Sequence, residues 1–324
     1  MCIGGAVPTA LQVCCGSTYV TRFYATYEAG VYTKFPSASD FGKAVAWARS
    51  VGFNAMEFEV LNRNHLKKLL ADRRLGRAPP GFEAASVSFP FVFSSFLGEP
   101  WARARDGFAL CLGAARRFGA PVVNLTSPPY PGAELSWDGP YPGGPPAVVA
   151  FHGERGWRDA WESFVSRVGL FADMAAGEGV KLAVEPRPRE MVGNTDALLM
   201  LIRDVGSRNL GALFDTGHHF VMKEILPVSV WKLGDRIFSV HLSDNDGVIE
   251  HHWAPGEGRI DWGSVLGALG ESGYAGYLAV ESSGIGRDPA DFVSAKALVE
   301  GLLSAWGRAE GRVAARDLRR RDQG

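Results

Sequence analysis

Four apolar runs in the second half of the chain each stop on a residue able to hold a cation. KLAVE ends on Glu185, GALFD on Asp215, FSVH on His241 and YLAVE on Glu281. Carboxylates and imidazole are hard or borderline donors, and a set of this kind suits Mn²⁺, Mg²⁺, Co²⁺ or Zn²⁺. No cysteine stands among them to argue for a thiolate site. Any one of these residues is more simply read as a cap for the next helix or a partner for a nearby cation. Four on successive runs are hard to produce that way, so a shared site is expected wherever the fold gathers the run ends.

The elements that must do the gathering are eight short β-rich runs alternating with longer helix-patterned segments. The strand candidates are Leu11–Cys15, Ala55–Val60, Ala84–Phe89, Val122–Thr126, Lys181–Glu185, Gly211–Asp215, Phe238–Leu242 and Tyr277–Glu281. Helical patterns cover Asp40–Ser50, Arg63–Leu75, Trp101–Phe118, Trp157–Gly179, Asp196–Val205, Val230–Leu233, Trp262–Ser272 and Pro289–Trp306. Start signals stand before several, as in Ser39-Asp40, Asn194-Thr195-Asp196 and Asp288-Pro289. Eight such pairs form either an open doubly wound sheet or a closed barrel. No GxGxxG follows the first run and no Walker sequence occurs, which weakens the nucleotide-binding open sheet. A single-domain α/β fold, a (βα)₈ TIM barrel over residues 1–306, is expected. All its strand C-termini open on one face, so the four side chains converge there.

Two segments break the repeat. Residues 127–158, rich in Pro, Gly and Tyr, follow the fourth strand and read as an insertion on that same face. Such a long connection is a lid, a contact in a homo-oligomer, or a passive loop. Residues 307–324 form a charged C-terminal tail. Its stretch Arg308–Asp322 carries six arginines against three acids, the mixed charge of a solvated helix end.

Composition excludes some partners. The chain has 324 residues, 46% of them apolar and 21% charged, with a formal net charge of −1. It therefore has no long-range pull toward nucleic acid or an anionic membrane surface. No apolar run is long enough to span a bilayer. The stretch Cys2–Gly16 has no basic region ahead of it, so a first strand is expected there rather than a secretory signal. Cys2, Cys14, Cys15 and Cys111 show no CxxC spacing; buried free thiols in a reduced cytoplasm are expected.

Beyond the four run ends, the motifs are "VEP" with a downstream Asn-Thr, "DTGH", "HLSDNDG", "HHWAPGEGRIDW" and "GYLAVE". Over roughly Asp40–Trp306 the chain resembles the xylose-isomerase-like barrel superfamily of sugar isomerases, epimerases and type IV (family 2) AP endonucleases. The resemblance implies one divalent metal on Glu185, Asp215, His241 and Glu281. It implies that Glu185 and Glu281 are also the acid–base pair, that His218 contacts a substrate oxygen and that His252 lies near the active site. Gly256, Gly258 and Asp261 are expected to shape the loop carrying His252. Glu57 ends the second strand as the family's Glu does, and is expected to hold a substrate hydroxyl. Arg187 follows Glu185 in "EPRPRE"; a phosphate or carboxylate on the substrate explains it, and so does surface ion pairing.

The chemistry that follows is a metal-polarised carbonyl, an acidified neighbouring C–H and an enediolate handled by two carboxylates. A proton returned to the opposite face gives epimerisation, and one returned to the adjacent carbon gives isomerisation. Loss of a β-hydroxyl gives an inosose- or dehydroshikimate-type dehydratase. The substrate is expected to be a small carbohydrate, sugar phosphate or keto-polyol. A three-metal DNA-repair endonuclease is the rival reading. It requires histidines at the ends of strands three and four, where this chain has Ser88 and Thr126 or Ser127. A non-catalytic binding barrel is a third reading, against which the paired glutamates argue.

Overall fold

Runs such as LGALF and YLAV, apolar on both faces, call for strands covered inside and out, which is the environment of a parallel sheet under helices. A computed structural model of the chain describes residues 11–16, 18–24, 26–28, 31–60, 63–73, 79–89, 101–136, 148–152, 156–282 and 288–321. Its eight barrel strands are β1 (Gln12–Cys15), β2 (Ala55–Glu59), β3 (Glu83–Phe89), β4 (Val122–Thr126), β5 (Lys181–Glu185), β6 (Leu210–Asp215), β7 (Ile237–Leu242) and β8 (Tyr277–Val280). They pair in parallel in chain order and close into a barrel. The seam is β8 on β1, with Gln12 opposite Tyr277 and Cys15 opposite Val280, while Cys15 also meets Met56 of β2. The fold is thus the expected (βα)₈ barrel.

Strand alternation divides the side chains between the barrel interior and the surrounding helices. On β7, Val240 and Leu242 join the core under the helices, while Ser239 and His241 reach partners across the barrel. Aromatic rings fill much of the outer core: Phe108 stacks on Phe171 with centroids 4.0 Å apart, and Phe58 on Phe118 at 4.3 Å.

The helices differ from their sequence outlines mainly at the ends. The first barrel helix begins at Ala38, capped by Ser37 in a capping box with Asp40. The Ser39-Asp40 signal therefore lies inside the first turn. Asn194 caps Thr195–Val205 as expected, accepting from the Ala197 N–H at 2.8 Å. The short Val230–Leu233 pattern begins four residues earlier, at Leu226, with Pro227 in the first turn where its missing N–H costs nothing. The helix expected to end at Trp306 runs to Arg321; nothing in GRAEGRVAARDLRRR breaks it, and Ala, Arg, Glu and Leu are good helix formers. Two antiparallel hairpins were not evident in the sequence: Thr26–Glu28 with Val31–Lys34, and Ala133–Ser136 with Val148–Phe151 inside the 127–158 insertion. Cys14, Cys15 and Cys111 are free and buried; Cys2 lies outside the described residues. Among the described residues no helix is long and apolar enough to cross a membrane.

Candidate metal centre

Parallel pairing brings the four run ends to one level. Asp215 lies opposite His241, His241 opposite Ala279, and Thr126 opposite Glu185. Glu281 sits one residue past β8, its backbone N–H held by the Leu242 carbonyl at 2.9 Å. Each of Glu185, Asp215, His241 and Glu281 offers a donor atom within 4.8 Å of the others. His241 Nδ1 is the hub: Glu281 Oε2 is 2.7 Å away, Glu185 Oε1 3.5 Å and Asp215 Oδ2 3.7 Å.

The local sequence explains why Asp215 is held so firmly. It caps the short helix Thr216–Val221, its Oδ1 accepting from the His218 N–H at 2.8 Å and from Ser243 Oγ at 3.2 Å. Oδ2 is left to face the cluster. Gly217 is required by the close approach of β7: a Cβ there would lie 2.2 Å from Ser243 Oγ. Gly217→Ala is expected to destabilise the protein by about 1–3 kcal/mol through overpacking. Urea unfolding checks this, and an unchanged midpoint would mean that Ser243 turns aside without cost.

A second group abuts the first. His218, Glu250 and His252 also bring donor atoms within 4.8 Å of one another. Glu250 Oε1 pairs with His218 Nδ1 and lies 3.0 Å from His252 Nε2. The outer nitrogens face the two glutamates, His218 Nε2 at 3.6 Å from Glu185 Oε1 and His252 Nδ1 at 3.9 Å from Glu281 Oε1. His218 and His252 were expected near the site; Glu250 was not. His252 adopts φ +48°, a left-handed conformation uncommon outside glycine and one that clusters at functional sites.

The loop carrying Glu250 and His252 is fastened by Asp244. Its carboxylate accepts from the backbone N–H groups of Asn245, Gly256 and Ile260 and from Trp262 Nε1, at 2.9–3.2 Å. Its backbone exchanges two hydrogen bonds with Trp253. The Gly258 backbone passes so close that a Cβ would lie 2.2 Å from Asp244 Oδ1. Asp261 caps the following helix, accepting from the Ser264 N–H at 3.1 Å.

Arg187 lies on the β5 side, Nη1 3.7 Å from Glu190 Oε1. Glu190, another carboxylate that the sequence did not single out, also accepts from Ser127 Oγ at 3.1 Å. Glu57 is not at the mouth. It is fully buried behind His241, with Oε1 2.9 Å from His241 Nε2.

Charge crowding shifts several of these groups. Burial, reinforced by Glu281 and Glu185 and opposed by His218, pushes Asp215 up to about 6. Burial pushes Glu190 up to about 8; Arg187 opposes this, while Glu185 and Glu250 add to it. Burial would also raise Glu281, but His241 beside it more than offsets this and holds the carboxyl well below the usual range. The imidazole of His252 is disfavoured as a cation by burial, yet the Glu250 and Glu281 carboxylates raise it to about 9.

A cation fits the first group. Asp215 Oδ2, Glu281 Oε2 and His241 Nδ1 are buried and, among the described residues, none has a hydrogen-bond partner. Buried polar atoms are ordinarily satisfied. Three carboxylates and an imidazole nitrogen aimed at one point are satisfied together by a divalent ion, and their chemistry is that of oxygen- and nitrogen-binding metals.

Known proteins share this arrangement of chain. A profile of the family described as xylose isomerase-like TIM barrel matches residues 45–300. Fructoselysine 3-epimerase of Escherichia coli O157:H7 is 29% identical over 124 residues, covering 37% of this chain and 45% of that protein. The chain spans about half the length of the curated relatives it matches. Among solved structures, an L-ribulose 3-epimerase superimposes with a TM-score of 0.67 at 20% identity, covering 94% of this chain and 99% of the other. A structure of the IOLI protein with a bound zinc atom superimposes with a TM-score of 0.60 at 16% identity, covering 90% and 96%.

Proposed function

The chain belongs to the xylose isomerase-like TIM barrel family, and from that premise we propose that it is a divalent-metal-dependent isomerase or epimerase of a small sugar, sugar phosphate or keto-polyol. The observation that carries this reading is the convergence of Glu185, Asp215, His241 and Glu281, with Asp215 Oδ2, His241 Nδ1 and Glu281 Oε2 buried and without hydrogen-bond partners among the described residues. These four would hold the ion. A bound divalent ion supplies Lewis acidity to a substrate carbonyl and so acidifies the neighbouring C–H.

Glu185 and Glu281 then divide the proton work. One carboxylate takes the proton from carbon, and the other, in its acid form, returns a proton to the opposite face. Glu281 has an oxygen for each role: Oε2 faces His241 and Oε1 faces His252. His218 and His252, tied together through Glu250, would donate hydrogen bonds to substrate oxygens beside the two glutamates. Arg187 would meet the end of the substrate remote from the reacting carbon. Elimination of a β-hydroxyl, giving a dehydratase, uses the same first proton abstraction and is the alternative outcome.

The deciding experiment is NMR in D₂O with the Mn²⁺- or Mg²⁺-loaded protein and a chelated control, over ketoses, ketose phosphates, inososes and hydroxypyruvate. Metal-dependent deuterium uptake at the carbon next to the carbonyl is expected, and the product distinguishes epimerase, isomerase and dehydratase. Abasic-site DNA incubated with Mn²⁺ or Zn²⁺ is expected to stay intact. Efficient incision, with no exchange on any sugar, would overturn the reading in favour of phosphodiester chemistry.

A further inference from the structure

Barrel interiors are usually packed with branched apolar side chains, but the layer beneath this cluster is polar. Glu57 of β2, Ser86 and Ser88 of β3, Asn124 of β4 and Ser239 of β7 are all buried. A register shift in the β2–β3 pairing between Met56 and Phe58 accompanies this layer. The group is organised around the Glu57 carboxylate. Its Oε2 accepts from Asn124 Nδ2 at 2.7 Å and from Ser86 Oγ. Asn124 Nδ2 in turn reaches Ser88 Oγ and Ser239 Oγ, both at 3.2 Å.

Burying a carboxylate costs several kcal/mol, and apolar residues of similar size would pack the layer at less cost. Beyond the Asn124 and Ser86 hydrogen bonds, the carboxylate meets an imidazole: His241 Nε2 lies 2.9 Å from Oε1 and 3.1 Å from Oε2. A carboxylate in that position only accepts, so the ring hydrogen must sit on Nε2. A neutral imidazole then has its lone pair on Nδ1, the atom facing Asp215, Glu185 and Glu281.

We propose that Glu57, seated by Ser86 and Asn124, is a positioning residue of the metal centre that holds His241 in the tautomer and orientation whose Nδ1 binds the ion. This rests on the reading that the four converging residues hold a cation; it does not depend on which sugar reacts. Partners of this kind behind a ligating histidine typically change metal affinity by about 10- to 100-fold.

The test uses the full chain and needs no substrate. Mn²⁺ and Zn²⁺ affinities are measured by competition with a chromophoric chelator for wild type, Glu57→Gln and Ser86→Ala. Histidine tautomers are read from ¹⁵N shifts in ¹⁵N-histidine-labelled protein, with His241 assigned by loss of its signals in His241→Asn. Glu57→Gln is expected to weaken metal binding by roughly 10- to 100-fold and to move His241 away from a pure Nε2–H tautomer. Ser86→Ala, which leaves the carboxylate in place, is expected to show a smaller change in the same direction and keeps the test open should Glu57→Gln fold poorly. Unchanged affinity with an unchanged His241 tautomer in both variants overturns the proposal. A wild-type chain that binds neither ion removes the metal reading itself, whereas one that binds metal but exchanges no sugar proton fails only the proposed reaction.

Discussion

Protein carrying Glu281→Gln is expected to fold as wild type and to lose metal-dependent deuterium uptake by about 10²–10⁴-fold, the usual contribution of a positioned acid or base. The substitution keeps the size and the hydrogen-bonding reach of the side chain, so the backbone tie to Leu242 and the packing of β8 stay in place. What disappears is the ability to exchange a proton, together with the negative charge 2.7 Å from His241. Metal binding weakens as well, so the rate is to be measured at saturating ion to isolate the proton step. Single-substrate NMR exchange under those conditions reads it directly. A rate within a few-fold of wild type would take Glu281 out of the acid–base pair and leave it a ligand at most.

His241→Ala has the larger structural consequence, because the imidazole faces two ways. Removing it takes the central nitrogen from the cluster and also leaves the fully buried Glu57 carboxylate with only the neutral donors Asn124 and Ser86. Breaking a buried pair from one side costs about 3–5 kcal/mol. Two measurements follow, metal content after exhaustive dialysis and unfolding free energy in urea, and both are expected to fall. The double variant His241→Ala, Glu57→Gln is expected to recover part of the stability and none of the metal. Wild-type metal content in His241→Ala would show that the ion is held elsewhere, and unchanged stability would show that Glu57 finds another partner.

The barrel and its mouth were legible because each rests on a short-range pattern. An apolar run that stops on Glu185, Asp215 or His241 marks both a strand and the level of its C-terminal end, and parallel closure does the rest. Glu250 and Glu190 carry no such mark. They lie in loops, where neither strand period nor helix period says which way a side chain turns, and their placement depends on Asp244 and on the turn at Arg187–Glu190. Glu57 shows a different limit. Its strand and inward face were legible, but its depth was not. Whether an inward carboxylate meets substrate or the back of a histidine depends on its level along the barrel axis, which the registers of β2 on β3 and β3 on β4 help decide. The hairpins at Thr26–Lys34 and Ala133–Phe151 were missed because their strands are three or four residues long, too few for an alternation to stand out.

The Asp244 carboxylate gathers the start, middle and end of one loop onto a single point. A loop clasped in this way has no slack to take up: it stays whole or it comes away whole. It holds His252 against Glu281, with Glu250 beside His252. Losing the one Asp244 carboxylate would therefore release the loop from Asn245 to Trp262 at several points at once.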